Sequence, residues 1–364
     1  MWALNRHWLR RGEAVRSTMR VLLIAGITST LPGMAFAKEV QVDVGLPKPV
    51  VVNTDQPLKL ALFIEIGTNS AVQSTVTGVR NMAKKYGFEF DVFDARFDVA
   101  TQVNQMQNAL LNGYNAWIVV PVEGSQVCES VTKLAPAANV LVAQATGTAC
   151  GRSSKEGDEL WSPGTLIYVG GNETPNAFEA VMEKAATDNP GPQKVGILTG
   201  PNLHPITVAF DKALEEVKAK YPDFKVVAVH RTDYSPPDNQ IKTQTMLQAN
   251  PDLSIIVGAY TNMSKGAVPA LEAAGKLGTV KVYEAGGTAW SVDALKKGWI
   301  KATTGFYRQT AAETAVQAII DARAGKPVPH VILNDGHAPI PGQKNGQVGI
   351  VTLDNVGAYE PQSP

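Results

Sequence analysis

At 364 residues the chain is longer than a single hydrophobic core usually serves, which argues for two lobes or domains. Its 33 basic and 33 acidic residues cancel to a net charge of zero. That balance removes any broad electrostatic ground for binding nucleic acid, an anionic membrane or a strongly acidic partner, so no nucleic-acid partner is expected.

The first segment, residues 1–37, is expected to be a secretory signal peptide. Arg16 and Arg20 precede an apolar run from Val21 to Ile27, Pro32-Gly33 breaks it, and Ala35-Phe36-Ala37 follows as an A-x-A site. Cleavage is expected between Ala37 and Lys38. The alternative is a short buried helix of the mature fold. The run is far short of the roughly 20 residues that span a bilayer. The residues before Met19 make a long basic region, which leaves Met19 as a second candidate start. No Cys follows the cleavage site, so no lipid anchor is expected, and the mature chain is expected to be free in an enclosed compartment such as a Gram-negative periplasm. In such an oxidising compartment Cys128 and Cys150 are a candidate disulfide, the alternative being two small apolar side chains.

The mature chain then alternates strands and helices. Leu58–Ile64 is a short apolar run suited to a buried strand, and Val72, Val76, Val79, Ala83 and Tyr86 mark one face of a helix. Glu89–Phe93 is a second strand, Val103, Met106 and Leu110 lie on a second helix, and Ala116–Val120 is a third strand. From Lys194 the pattern recurs. Lys194–Leu198 is a strand, Phe210, Leu214, Val217 and Tyr221 mark a helix face, and Phe224–Val229 is the next strand. The helix of Ile241, Met246 and Leu247 follows, then Leu253–Val257. Even the words echo: Ala83-Lys84-Lys85-Tyr86-Gly87-Phe88 against Lys218-Ala219-Lys220-Tyr221-Pro222-Asp223-Phe224. Apolar strands alternating with helices mean parallel sheets covered on both faces. The fold class is therefore α/β, with two doubly wound parallel-sheet lobes. The loops at the carboxyl ends of their strands would face each other across a cleft.

Catalytic motifs do not surface. The sequence has no G-x-S-x-G elbow, H-E-x-x-H or Walker G-x-x-x-x-G-K, and His204, His230, His330 and His337 lie at no metal-ligand spacing. Ser130-Val131-Thr132-Lys133 matches S-x-x-K without its companion elements and reads as a chance match in an amphipathic helix. Asn172-Glu173-Thr174 and Asn262-Met263-Ser264 are glycosylation sequons in form only. The chain is not expected to be an enzyme or to need a cofactor or metal.

The stretch from Leu58 to Val331 resembles the periplasmic binding proteins of the ribose-binding type, the sugar receptors of ABC importers. The resemblance is carried by three segments: Ala116–Glu123, Gly258–Ala267 with Ala270–Lys276 behind it, and Asp293–Thr303. A cysteine pair like Cys128 and Cys150 also occurs in some members. Repressors of the same family carry a helix-turn-helix before the first strand, where this chain has its signal-peptide segment. The resemblance implies a type I periplasmic binding protein fold whose lobes are joined by a three-segment hinge. One lobe would take residues 57–171 and 307–334, and the other 172–306 with a tail over 335–364. That tail is rich in Gly and Pro, with a strand expected at Gln347–Val351.

The resemblance also locates ligand-binding positions. Asn69 falls where the family has a ligand-binding Asn. The family's Asp-Arg pair falls at Ala145-Thr146-Gly147, which leaves Gln144 as the strong polar group. His204 stands near the family's Arg, Tyr260 where an Asn is common, and Phe306 in place of the hinge Gln. Gly286 replaces an Asp, with Glu284 close by. A cleft that has lost charged hydroxyl-binding groups and gained aromatics is expected to take a ligand less densely hydroxylated than ribose, or to grip it more by stacking on Tyr260, Phe306 or Trp290. The implied function is capture of a small polar ligand, a sugar or polyol, by a monomeric receptor that delivers it to an ABC permease in the inner membrane. The alternatives are a periplasmic sensor feeding a chemoreceptor or histidine kinase, and a secreted enzyme.

Overall fold

The computed structural model describes residues 38–153, 157–340 and 348–364; the expected signal peptide lies outside the described residues. In chain order, a hairpin of β1 (Glu39–Val42) and β2 (Val50–Asn53) precedes β3 (Lys59–Ile64), α1 (Ser70–Tyr86), β4 (Glu89–Asp94), α2 (Val99–Leu111) and β5 (Ala116–Val119). A π-helical turn, Ser130–Leu134, runs into α3 (Ala135–Ala137), followed by β6 (Leu141–Ala145) and β7 (Ile167–Val169). The second run is α4 (Pro175–Asp188), β8 (Gln193–Thr199), α5 (Pro205–Lys220), β9 (Phe224–Arg231), α6 (Pro236–Ala249) and β10 (Ile255–Gly258). It continues through α7 (Thr261–Ala273), β11 (Lys281–Glu284), α8 (Ala289–Lys296) and β12 (Thr303–Thr304). Then come α9 (Arg308–Arg323), β13 (Val331–Ile332) and β14 (Ile350–Val351).

These strands form two all-parallel sheets, one in the order β13-β7-β6-β5-β3-β4 and one in the order β11-β10-β8-β9. The first shows why its strands are apolar throughout. Leu60, Leu62 and Ile64 of β3 join Ile118, Leu141 and Ala143 in a core beneath α1 and α9. The alternate residues Ala61 and Phe63 join Trp117, Val119 and Val142 in a second core against α2 and the π-helical turn. A strand with period two can serve both layers only if both sets are apolar. In the other lobe β8, β10 and β11 pack with α4, α5 and α7 in a single continuous core.

Local chemistry sets the helix ends. Asn69 caps α1 by accepting the Ala71 N–H, and Gly87 closes the helix in the left-handed conformation at φ 70°. Gly78 lets α9 approach α1, because a Cβ there would lie 2.4 Å from the Gln309 carbonyl oxygen. Cys128 and Cys150 form a disulfide that ties the π-helical turn to the loop after β6. Within that turn Ser130 is buried while Lys133 is exposed, so the S-x-x-K pair shares no site.

Two residues expected on buried helix faces are instead exposed. Ile241 is 59% exposed, because α6 turns Asn239, Thr243, Met246 and Leu247 inward at steps of four and three. Tyr86 is 41% exposed; it ends α1, where its hydroxyl reaches the Gln317 side chain of α9.

The chain passes between the sheets after β7, after β12 and after β13. One carboxylate joins the three passages. Asp335 Oδ2 accepts the Tyr307 N–H at 2.9 Å and the Asn172 Nδ2–H at 2.8 Å, while the Asp335 N–H donates to the Gly170 carbonyl at 2.8 Å. Tyr307 stacks flat on His337 with ring centroids 3.8 Å apart. Beyond the last passage β14 pairs antiparallel with β12, within the expected tail strand; Gln347 itself lies outside the described residues.

Candidate functional site

The carboxyl ends of the parallel strands meet around a small cavity lined by Glu65, Ile66, Asn69, Phe97, His204, Ile206, Tyr234, Tyr260 and Arg308. Each lining group arrives by the strand-to-loop route that α/β sheets use for ligand sites. Glu65 follows β3, Phe97 the end of β4, His204 follows β8, Tyr234 follows β9 and Tyr260 follows β10. Arg308 opens α9 just after the second passage between the sheets.

At its base lies a buried ion triad. Arg308 Nη1 donates to Glu65 Oε1 and Nη2 to Glu173 Oε1, both at 2.8 Å, and all three side chains are 4–5% exposed. Burial alone would lower the guanidinium's pKa, but Glu173 and Glu65 outweigh it and hold Arg308 above its ordinary value. Burial dominates for Glu173, whose carboxyl is pushed up to about 7 despite the Arg308 charge. Two carboxylates against one guanidinium leave the triad with an excess of negative charge when all are ionised. Glu65 Oε2 and Arg308 Nε have no hydrogen-bond partner among the described residues. A buried unpaired acceptor and donor in a cavity wall are groups a ligand can satisfy.

The walls are aromatic. Phe97 from one lobe stacks on His204 from the other at 5.5 Å and approaches Tyr234 at 5.9 Å. The Tyr234 hydroxyl lies 3.2 Å from His204 Nδ1. Burial, with a smaller contribution from Arg308, lowers the His204 pKa to about 3, so its ring is neutral at physiological pH. Tyr260 packs edge-on to Phe306 at 6.0 Å, and the Arg308 guanidinium sits 5.3 Å over the Phe306 ring. Burial raises the phenols of Tyr234 and Tyr260 above their ordinary value, so both remain neutral donors. Outside the cavity the lobes also touch where Lys212 Nζ donates to the Ser153 carbonyl at 2.7 Å.

Of the residues singled out from sequence, Asn69, His204 and Tyr260 come together in the cavity wall, and Phe306 packs directly behind Tyr260. Asn69 spends its side-chain oxygen on the α1 cap. Three others lie elsewhere. Gln144 is fully buried in β6, and its Oε1 accepts the Ala149 N–H to hold the loop after the strand. Glu284 is fully buried at the end of β11, where its Oε1 accepts from the hydroxyls of Thr261, Ser291 and Thr303 and ties the starts of α7 and α8 to β12. Trp290 is half-buried against Trp299, away from the cavity lining, because α8 turns Val292 and Leu295 into the core instead.

Sequence reasoning missed Glu65, Phe97, Glu173, Tyr234 and Arg308. A signal existed for Glu65 and Arg308, each a charge placed directly after a run of buried, uncharged residues, Leu60–Ile64 and Thr303–Tyr307. Glu173 was hidden inside a sequon-like triplet.

Residues 60–327 match the family model described as "Periplasmic binding protein domain". The chain is 27% identical over 226 residues to the xylitol-binding protein of Mycolicibacterium smegmatis, a match that takes in 61% of this chain and 60% of that protein's length. It is 22% identical to the D-ribose/D-allose-binding protein of Pseudomonas aeruginosa, over 77% of this chain and 87% of that one. Among solved structures, the Caulobacter myo-inositol binding protein bound to myo-inositol superposes with a TM-score of 0.72 at 17% identity, covering 83% of this chain and 96% of the other. The chain belongs to the periplasmic binding protein family.

Proposed function

We propose that this periplasmic binding protein is the solute receptor of an ABC importer, taking up a small uncharged polyhydroxylated ligand, a sugar or polyol, between its lobes. The observation that carries the reading is the cavity at the facing sheet edges, where aromatic walls enclose a buried Arg308–Glu65–Glu173 triad. An anionic ligand is disfavoured there, because both Nη groups of Arg308 are already engaged by carboxylates. A hydroxyl can donate to Glu65 Oε2 and accept from Arg308 Nε. The C–H face of a sugar ring or polyol chain can lie on Phe97, Tyr234 or Tyr260. Asn69 and His204 complete the proposed contact set, with Phe306 backing the Tyr260 ring.

Xylitol-, ribose/allose- and inositol-binding relatives support that ligand class. In this reading residues 57–171 with 307–334, and 172–306 with 335–364, are the two lobes, which rotate about the three passages joined by Asp335. The chain works as a monomer in the periplasm, catalyses no reaction and hands its ligand to a membrane permease. Among the described residues no helix is long and apolar enough to cross a membrane.

The test is a thermal-shift and calorimetric screen of the mature chain against pentoses, hexoses, linear polyols and inositols, with small carboxylates and phosphates as the contrast set. A saturating ligand bound only to the native state adds roughly 3–4 kcal/mol and raises Tm. Recovery of the bound compound unaltered supports a receptor. Selective binding of an anion, or turnover of a bound sugar, sinks the reading.

A further inference from the structure

The last described residues do not trail off the fold but connect its two lobes. They begin on the β8–β11 side, where β14 pairs with β12 and the Tyr359 hydroxyl meets the Gly287 carbonyl and the Phe306 N–H. The Ala289 N–H, at the start of α8, donates to the Ser363 carbonyl at 2.8 Å. From that anchorage the segment reaches α1 and α9, which pack on the other sheet.

Ser74 Oγ of α1 donates to the Gln362 carbonyl at 2.8 Å and lies 3.0 Å from Ser363 Oγ. The Gln362 amide grips the first turn of α9 with both ends. Its Oε1 accepts the Thr310 N–H at 3.0 Å, and its Nε2 donates to Thr310 Oγ1 at 2.6 Å. The α9 N-cap, Tyr307, makes no side-chain capping bond, so Gln362 supplies from a distance the acceptor that a cap would normally supply. Ser74 and Ser363 are 6% and 4% exposed, so these are shielded bonds rather than surface contacts.

The position matters as much as the bonds. Ser74 stands one turn beyond Asn69, and Thr310 stands in the same turn as Arg308, so the segment crosses between the lobes beside the cavity. Rotation that parts the sheets must carry Ser74 and Thr310 away from Ala289, and the segment cannot keep both sets of partners.

We propose that Tyr359–Ser363 is an inter-lobe clasp that stabilises the closed cleft and thereby sets how readily the cleft releases its content. Tyr359 is the positioning residue of this device, since it fixes the backbone of Phe306 behind the Tyr260 wall. The proposal rests on the reading that the lobes open and close, but it needs no identified ligand.

The experiment is a distance measurement between spin labels at Gln107→Cys on α2 and Gln244→Cys on α6, both exposed, in ligand-free protein with its native disulfide intact. The clasp is removed by Ser74→Ala with Gln362→Ala, neither of which lines the cavity. The unaltered clasp is expected to hold a large share of molecules at the closed distance. The double variant, still melting cooperatively, should shift the open-to-closed ratio by about tenfold or more towards open. Should the double variant fold poorly, Gln362→Ala alone is read the same way and expected to shift in the same direction. A parent protein that is wholly open without ligand, or variants whose distances match the parent's, overturns the proposal.

Discussion

Replacing Glu173 with Gln separates two opposing titrations buried in one cavity. Glu173 has an ordinary pKa of 4.5 and about 7 in the fold, raised first by burial and only partly countered by Arg308. Its contribution to stability is therefore fully present below pH 4.5, where both states are protonated. Above that the unfolded chain releases a proton that the folded chain keeps, so stability falls by 1.36 kcal/mol per pH unit until about pH 7. The accumulated loss is about 3 kcal/mol. His204 runs the other way. Its pKa drops from 6.5 to about 3 on burial, so its contribution is present above pH 6.5 and is lost as the pH falls towards 3. Between pH 4.5 and 6.5 the two slopes cancel. Glu173→Gln removes the first slope alone: relative to the parent, the variant should gain about 3 kcal/mol between pH 4.5 and 7 and should weaken steeply on acidification. Urea denaturation at half-unit steps from pH 4.5 to 8 reads this directly. A variant that instead loses ground to the parent as pH rises would show that the Arg308 attraction outweighs burial, and the reasoning would be refuted.

Arg308→Met should destabilise by about 3–5 kcal/mol at pH 8, since it leaves Glu65 and Glu173 facing each other without a cation; a loss below 1 kcal/mol in denaturant titration contradicts this. Tyr260→Ala with Phe306→Ala should weaken binding of the ligand found in the screen by tenfold or more, about 1.4 kcal/mol, and unchanged calorimetric affinity in folded protein sinks the stacking idea. Asp335→Ala strips the acceptor from the Tyr307 N–H and Asn172 Nδ2, at about 1–3 kcal/mol for each buried group left unpaired, to be measured as a drop in the denaturation midpoint. Reducing Cys128–Cys150 should lower stability by about 3 kcal/mol through the freed loop, and an unshifted melt in reductant argues against it.

How far each conclusion could be reached from sequence follows from the range of the interactions involved. Strands such as Leu60–Ile64 and helices such as Ser70–Tyr86 were legible because apolar periodicity acts within a few positions of the chain. Repetition of that pattern from Lys194 was enough for two parallel-sheet lobes, while Asn69, His204 and Tyr260 were singled out by the resemblance to the ribose-type binding proteins.

The remainder depended on which distant groups share a space. Trp290 and Glu284 carry the same chemistry as residues of the cavity wall, and only helix rotation and the depth of the β11 end put them outside it. The triad joins Glu65, Glu173 and Arg308 from three separated stretches, and no local pattern encodes that meeting. So too with Gln362 and Ser74, brought together at a helix end by the path of the tail. Sequence by itself determined the main strands and helices of the two repeated runs and their order, through local periodicity, and the family, through its matching segments. Tertiary structure alone decided which charges are buried against each other and which lobe the tail holds, because burial and Coulombic energies depend on separation in space rather than along the chain.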